Sequence, residues 1–487
     1  FINLYIYGKT NQTSTKTFKI GQKIDEEGNV IYQGKEISQE RMVSNLIKYS
    51  SMAMLGLKPV LIARNFIQLK TNTYFLATEG QFFTMKDHLK GLKEWSKNHA
   101  KYMAAVEFFQ TYSHDIFYEK ANNLSSKKLS KYLTLDNMFI GMKATDENAD
   151  RQVLINMMLH YRVDENGKIQ PLDRISDKTS LYDRFSVDNE GNAILKGVSP
   201  EQIERFRAMV QKVATKVKGT VPAEDRMLFN TTTFGQLVMQ YRSWLPGMLK
   251  ARFSNINYDP VLDTADMGRY LVAFQDICSF TKGSARSFLD LAVASLPVIG
   301  LFMGNNIHTN KAKAMQIFKQ FQKENPDTNY TFDEFVKLRM AKLKAMALEI
   351  QTMLGLFMLA MLAKGLIPDD KEANPVETFL SQNLYRVLNG AYLEASFFLN
   401  LTSATEIVSS PFALVSFATT AYRLASNTLD ETRDLLAGKD YKGFIMWEED
   451  SKDKTKPFYY TSRMIPGVNA ITDFFDIYDT FNTSTSR

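Results

Sequence analysis

Most of the chain carries apolar residues at helical spacing, broken by a few short alternating stretches. Helical periodicity, with apolar positions three and four residues apart, fits residues 41–70, 84–121, 262–280, 309–323, 332–363 and 376–400. The clearest start signal lies at Ser199-Pro200-Glu201-Gln202. Serine is a good N-cap, proline suits the first helical position, and Gln202 is placed to complete a capping box. Ile203, Phe206, Met209, Val210 and Val213 then mark one apolar face.

Three related phrases interrupt this pattern. Ile24–Gly34 reads IDEEGNVIYQG, Val187–Gly197 reads VDNEGNAILKG, and Val163–Gln170 reads VDENGKIQ. In each, acidic residues and Asn open a turn and Gly supplies positive φ, so each predicts a β-hairpin. None has the alternating ligands and closing Glu of a calcium loop. Near the end, GFIMWEED and KPFYYTS read as two strands, followed by the amphipathic GVNAITDFFDIYDTF. No fixed-period repeat covers the chain.

The expected fold is mainly α: an elongated multi-helix body with small hairpin insertions near the N-terminus, within residues 163–197, and in the C-terminal region. Five segments follow: an extended arm with a hairpin (1–40), a helical region (41–160), a hairpin insertion (161–198), a helical region with apolar helices (199–443), and a mixed hairpin and helix (444–487). A chain of 487 residues exceeds one ordinary core. It opens on Phe1 with no charged n-region and apolar h-region, as expected of a processed chain or a piece of a longer polypeptide.

Three apolar runs stand out: Leu289–Met303, Met346–Ile367 and Phe397–Ala421. Spanning a bilayer takes about 20 apolar residues. Asp290 and Pro297 interrupt the first run and Glu406 and Pro411 the third. The second is free of polar residues only from Met353 to Ala363. They read first as buried core helices. The sharper alternative is a set of helices that enter a bilayer after a rearrangement, with Leu354, Leu356, Phe357 and Leu359 as the membrane-active positions.

Composition changes this picture little. Apolar residues make up 45% and charged residues 23%, which is globular. The net charge of +6 permits contact with DNA or an anionic membrane without demanding it. The 23 methionines fit core filling or an adaptable packing surface. The single cysteine, Cys278, sits in FQDICSF and reads as a buried thiol.

Candidate chemistry is sparse. Of the five histidines, His88 and His99 would sit roughly 16 Å apart on one helix, too far to share a metal. HExxH, paired CxxC and GxSxG are absent from the sequence. Gly8-Lys9-Thr10 imitates the end of a P-loop, but Asn3 stands where its first glycine belongs. Asp473, Asp476 and Asp479, and the basic groups Lys311/Lys313/Lys319/Lys323 and Lys337/Arg339/Lys342/Lys344, read as solvated helix faces. No catalytic residue, cofactor or metal is assigned, and the expectation is a protein without enzymatic activity.

The stretch TTTFGQLVMQYRSWLPGMLKARF, Thr231–Phe253, keeps helical spacing through Phe234, Leu237, Val238, Tyr241, Trp244, Leu245, Met248 and Leu249. Pro246 lacks a donor and clashes with the preceding turn, so a helix there should kink or restart. From Gly219 to Phe253 the sequence resembles a phrase of large virion cargo proteins of crAss-like bacteriophages. The matching positions are Gly235, Leu237, Tyr241, Arg242, Trp244, Pro246, Arg252 and Phe253. The resemblance implies a particle protein packed in the portal and tail barrel and delivered into the host cell with the genome. Its implied partners are portal and tail-barrel proteins, with genomic DNA and the host membrane met on delivery. Two alternatives stay open: a non-catalytic segment of a virion-packaged RNA polymerase polypeptide, and a fixed lining of portal or tail that forms a symmetric homo-oligomer.

Overall fold

The computed structural model describes residues 17–20, 23–24, 30–32, 35–38, 58–109, 139–172, 179–187, 193–219, 245–259, 261–262, 264–279, 282–296, 307–326, 328, 330–368 and 375–396. These residues are mostly helical, with small two-stranded antiparallel hairpins. The expected mainly-α class therefore holds.

All three acidic phrases form hairpins. β1 (Thr17–Ile20) pairs with β4 (Lys35–Ser38) around the inner pair β2 (Lys23–Ile24) and β3 (Val30–Tyr32). β5 (Tyr161–Val163) pairs with β6 (Ile169–Pro171), and β7 (Phe185–Val187) with β8 (Ala193–Leu195). The β5–β6 turn shows why the phrase works. The Asp164 carboxylate accepts from the amides of Asn166 and Lys168, and Gly167 takes a φ of 75° that an L side chain rarely adopts. The expected C-terminal strands and final helix lie outside the described residues.

The first core surrounds one central helix. α1 (Pro59–Glu79), α2 (Met85–Lys97) and α3 (His99–Phe109) precede α4 (Ile140–His160). Val153, Leu154, Ile155, Met157, Met158 and Leu159 of α4 are all buried. Each such side chain contributes roughly 1.5–3 kcal/mol when withdrawn from water. A short α5 (Leu181–Arg184) and the long α6 (Pro200–Lys218) close this core, and Phe109, Tyr161 and Phe206 meet there edge to face. Ser199 caps α6 as expected, accepting from the Gln202 amide. The Gln202 side chain, however, accepts from the Ile169 amide, so it ties α6 to β6 in place of closing the expected box.

The second core follows α7 (Leu245–Phe253), the hairpin β9 (Asn257–Asp259)–β10 (Thr264–Asp266), α8 (Arg269–Ile277), α9 (Lys282–Ala294) and α10 (Lys311–Glu324). Its backbone is α11 (Phe332–Gly365), started by a full capping box in which Thr331 and Glu334 bond reciprocally. Phe318, Phe321 and Phe335 pack at its centre. α12 (Pro375–Ser396) packs along α11 and α1.

Several sequence expectations shift. The helix expected over 84–121 is interrupted at Asn98, which leaves the helical conformation at φ −125° and ψ 45° before α3 begins at His99, and residues 110–121 lie outside the described residues. The helix expected over 262–280 first forms β10, because Asp259 takes the amides of Val261 and Leu262 in a turn. Cys278, expected to be buried, is exposed and caps the C-terminal end of α8.

Candidate functional site

α11 divides into two halves with different surroundings. At spacings of four and three residues, Phe335, Arg339, Lys342, Met346, Glu349, Met353, Leu356, Ala360 and Ala363 form one stripe along it. Three of these inward positions carry charge, and each is buried. A buried charge is tolerated when it is paired and hydrogen-bonded.

Each charge finds its partner on another element. Arg339 donates to Asp276 of α8 at 2.5 Å, to Gln275 at 3.0 Å and to Thr309 at 3.2 Å. Asp276 also accepts from the Thr309 hydroxyl at 2.6 Å, which pins the 307–310 segment. Lys342 bridges Glu79 at the end of α1 (2.7 Å) and Asp266 of β10 (2.8 Å). Asp266 in turn takes Lys216 of α6 at 2.7 Å. Glu349 receives Arg252 of α7 on one oxygen, and Arg269 of α8 lies 3.3 Å from the other. Arg252 also lies over the Tyr270 ring and Arg269 over Phe75. α1, α7, α8, β10 and the 307–310 segment are thus fastened to the first half of α11, and α6 is fastened to it through Asp266.

The electrostatics are consistent with this. Burial disfavours charge on Lys342, but Asp266 and Glu79 outweigh it and hold the ammonium above its ordinary value. Burial would raise Asp266, yet Lys216 and Lys342 hold it well below the usual carboxylate range. Burial, and then Glu349, pushes the Tyr270 hydroxyl up to about 12.

The second half of α11 has no such surroundings. Leu354, Phe357, Met358, Leu359, Met361 and Leu362 are all exposed, reaching 65% at Leu362, and Leu366 continues the surface. Only Met353, Ala360 and Ala363 are buried there, with Leu356 partly so. On α12, Leu380, Leu384 and Leu393 are exposed too. A monomeric protein seldom leaves such a patch open unless something covers it in use. Among the described residues, α11 is also the one helix long and apolar enough to cross a membrane, with 28% of its most apolar window buried. The reading of Met346–Ile367 as a wholly buried core helix is therefore corrected: its N-terminal part is core and its C-terminal part is surface. The reading of Lys337, Arg339, Lys342 and Lys344 as one solvated face is corrected as well. Lys337 is exposed and Lys344 half-buried, whereas Arg339 and Lys342 lie inside.

The junction between the halves holds a cavity of about 40 Å³, lined among others by Gln68, Asn72, Arg252, Glu349, Leu356 and Ala395. That is room for about one or two waters beside the ion pair.

Of the positions singled out in the sequence, Gly235, Tyr241, Arg242 and Trp244 lie outside the described residues. α7 starts at Leu245, which puts Pro246 in the first turn, where its missing amide costs nothing. Gly247 lies so close to the Gly219 carbonyl that a Cβ would sit 2.5 Å from it, so the two ends of the Gly219–Leu245 excursion meet. Arg252 is buried against Glu349, while Phe253 is half exposed and meets Tyr270 edge to face at 5.6 Å. Arg252 and Leu356 line the same cavity, Leu354 and Leu359 are exposed, and Phe357 is partly exposed and packs on Tyr392 of α12. Glu349, Arg269, Lys342 and Glu79 join this network without any motif in the sequence that marks them. The usable signal was the four-three stripe on which Arg339, Lys342 and Glu349 fall.

Among the described residues, no group of three or more His, Cys, Asp or Glu is placed to hold a metal. Compared with protein-family models, with curated proteins and with solved structures, the chain matches none.

Proposed function

We propose that this chain is a cargo protein of a phage particle, packed in the portal and tail barrel and delivered into the host with the genome. Its working part in this reading is the open apolar surface of α11 and α12. The observation that carries the reading is the contrast within α11, a half fastened by buried ion pairs and a half left apolar and exposed. A protein whose task is to meet a second environment needs a stable body and an uncovered apolar surface. The resemblance of Gly219–Phe253 to virion cargo proteins supplies the setting. Portal and tail-barrel proteins are the partners proposed inside the particle.

Quantitative mass spectrometry on purified particles, full and after genome release, tests this. Peptides abundant in full particles and lost on release are the expected result. Retention at fixed stoichiometry would replace cargo by a permanent symmetric lining. Absence from both would end the particle reading.

A further inference from the structure

We propose that the exposed half of α11, with the flank of α12 beside it, docks flat into one leaflet of a phospholipid bilayer. This deepens the cargo reading by naming what the open surface meets on delivery.

The apolar stretch Met353–Ala363 carries no charged or hydrogen-bonding side chain. At 1.5 Å per residue it is roughly 16 Å long, about one leaflet. Although α11 as a whole is long enough to cross, the turns before Met353 carry Glu349, held by Arg252 and Arg269 in the body, so the free stretch reaches one leaflet. Its exposed positions do not form a single stripe. Phe357 packs on Tyr392 of α12 with ring centroids 5.3 Å apart. Beyond it, at 100° per residue, the sector from Met361 through Leu354, Met358 and Leu362 to Leu359 covers roughly 160° of the helix circumference. The buried seam of Met353, Ala360 and Ala363 occupies the remaining side with Leu356. One partner face covers a stripe of about 100°. A surroundings that is apolar from many directions, as acyl chains are, covers the whole sector.

Two further features fit a flat pose. Gly355 and Gly365 have nothing within 4 Å of where a Cβ would stand, so the helix surface is open at both points. The exposed cation Lys364 follows the apolar stretch directly on α11, and its long stem lets the charge reach headgroup phosphates while the backbone lies below. The ion pairs from Arg339 to Glu349 sit on the opposite end of α11, so docking leaves the body folded.

The test uses the full chain and phosphatidylcholine vesicles, with flotation in about 0.15 M and about 1 M salt. Binding that survives high salt is expected, because apolar burial drives it. Met358→Asp and Leu362→Asp, both at exposed positions, should each lower the partition coefficient by at least about tenfold. Lys319→Asp on exposed α10 should leave it unchanged. An environment-sensitive dye on Leu362→Cys, in a Cys278→Ser background, should shift to the blue on vesicle addition. No flotation, equal flotation of both Asp variants, or an unshifted dye overturns the proposal. So does a dimer that Leu362→Asp dissociates in a chain that ignores vesicles, for then the surface belongs to a second copy. Vesicle binding with no trace of the chain in particles would remove the cargo reading and leave this one standing.

Discussion

Glu349→Gln is the sharpest perturbation of the body. Glu349 is 2% exposed and faces two arginines, Arg252 and Arg269, both buried. Glutamine keeps the shape and removes the charge, leaving two guanidiniums in the interior with no anion between them. Breaking a buried pair in this way costs about 3–5 kcal/mol. For a cooperative unit of about 200 residues that lowers Tm by roughly 6–20 °C. Thermal scans by far-UV circular dichroism read the change. A triple variant, Arg252→Met, Glu349→Leu and Arg269→Met, removes all three charges and should recover most of the loss, since buried ions replaced together by apolar groups of similar volume are often neutral. A Glu349→Gln protein melting within about 2 °C of the parent would refute the reasoning, because the triad would then not fasten α11.

Three further outcomes follow from single contacts. His88 is buried with Asn156 Nδ2 at 3.1 Å from its Nδ1, and burial, then the charge of Lys70, depresses its imidazole below the ordinary value. The folded state then binds fewer protons there, so this contribution is complete above about pH 6.5 and fades as pH falls below it; His88→Gln should flatten the fall of Tm between about pH 7 and pH 5, and an unchanged slope would count against it. A Cβ at Gly268 would sit 2.5 Å from the Arg252 carbonyl carbon and oxygen, so Gly268→Ala should cost on the order of 1–3 kcal/mol in chemical denaturation. Leu343 is buried and Leu362 exposed, so Leu343→Asp should cost more than about 4 kcal/mol and Leu362→Asp less than about 0.5 kcal/mol; equal losses would mean that the exposed half is covered.

What was readable along the chain were local features. Asp164 and Gly167 announce their own hairpin, because an Asx turn and a left-handed glycine are satisfied within a few residues. The same holds for Ser199 at the start of α6, and for the helices observed as Lys311–Glu324, Phe332–Gly365 and Pro375–Ser396. The fate of charged residues was not readable in the same way. Lys342 meets Glu79, 263 positions away, and Arg339 meets Asp276, 63 positions away. Only the three-dimensional packing tells a paired interior charge from a solvated one, although the stripe that places Arg339, Lys342 and Glu349 among Phe335 and Met353 was already a hint. The exposed half of α11 hid for the opposite reason. Apolar composition alone looks the same whether the surrounding is protein core, partner or lipid.

Hydrogen–deuterium exchange along α11 of the full chain, with and without phosphatidylcholine vesicles, tests the division of this helix most directly. The account predicts slow exchange from Phe335 to Glu349 in both samples, fast exchange from Leu354 to Gly365 in solution, and protection of that second half on vesicles. Equal protection of both halves in the absence of vesicles would contradict it.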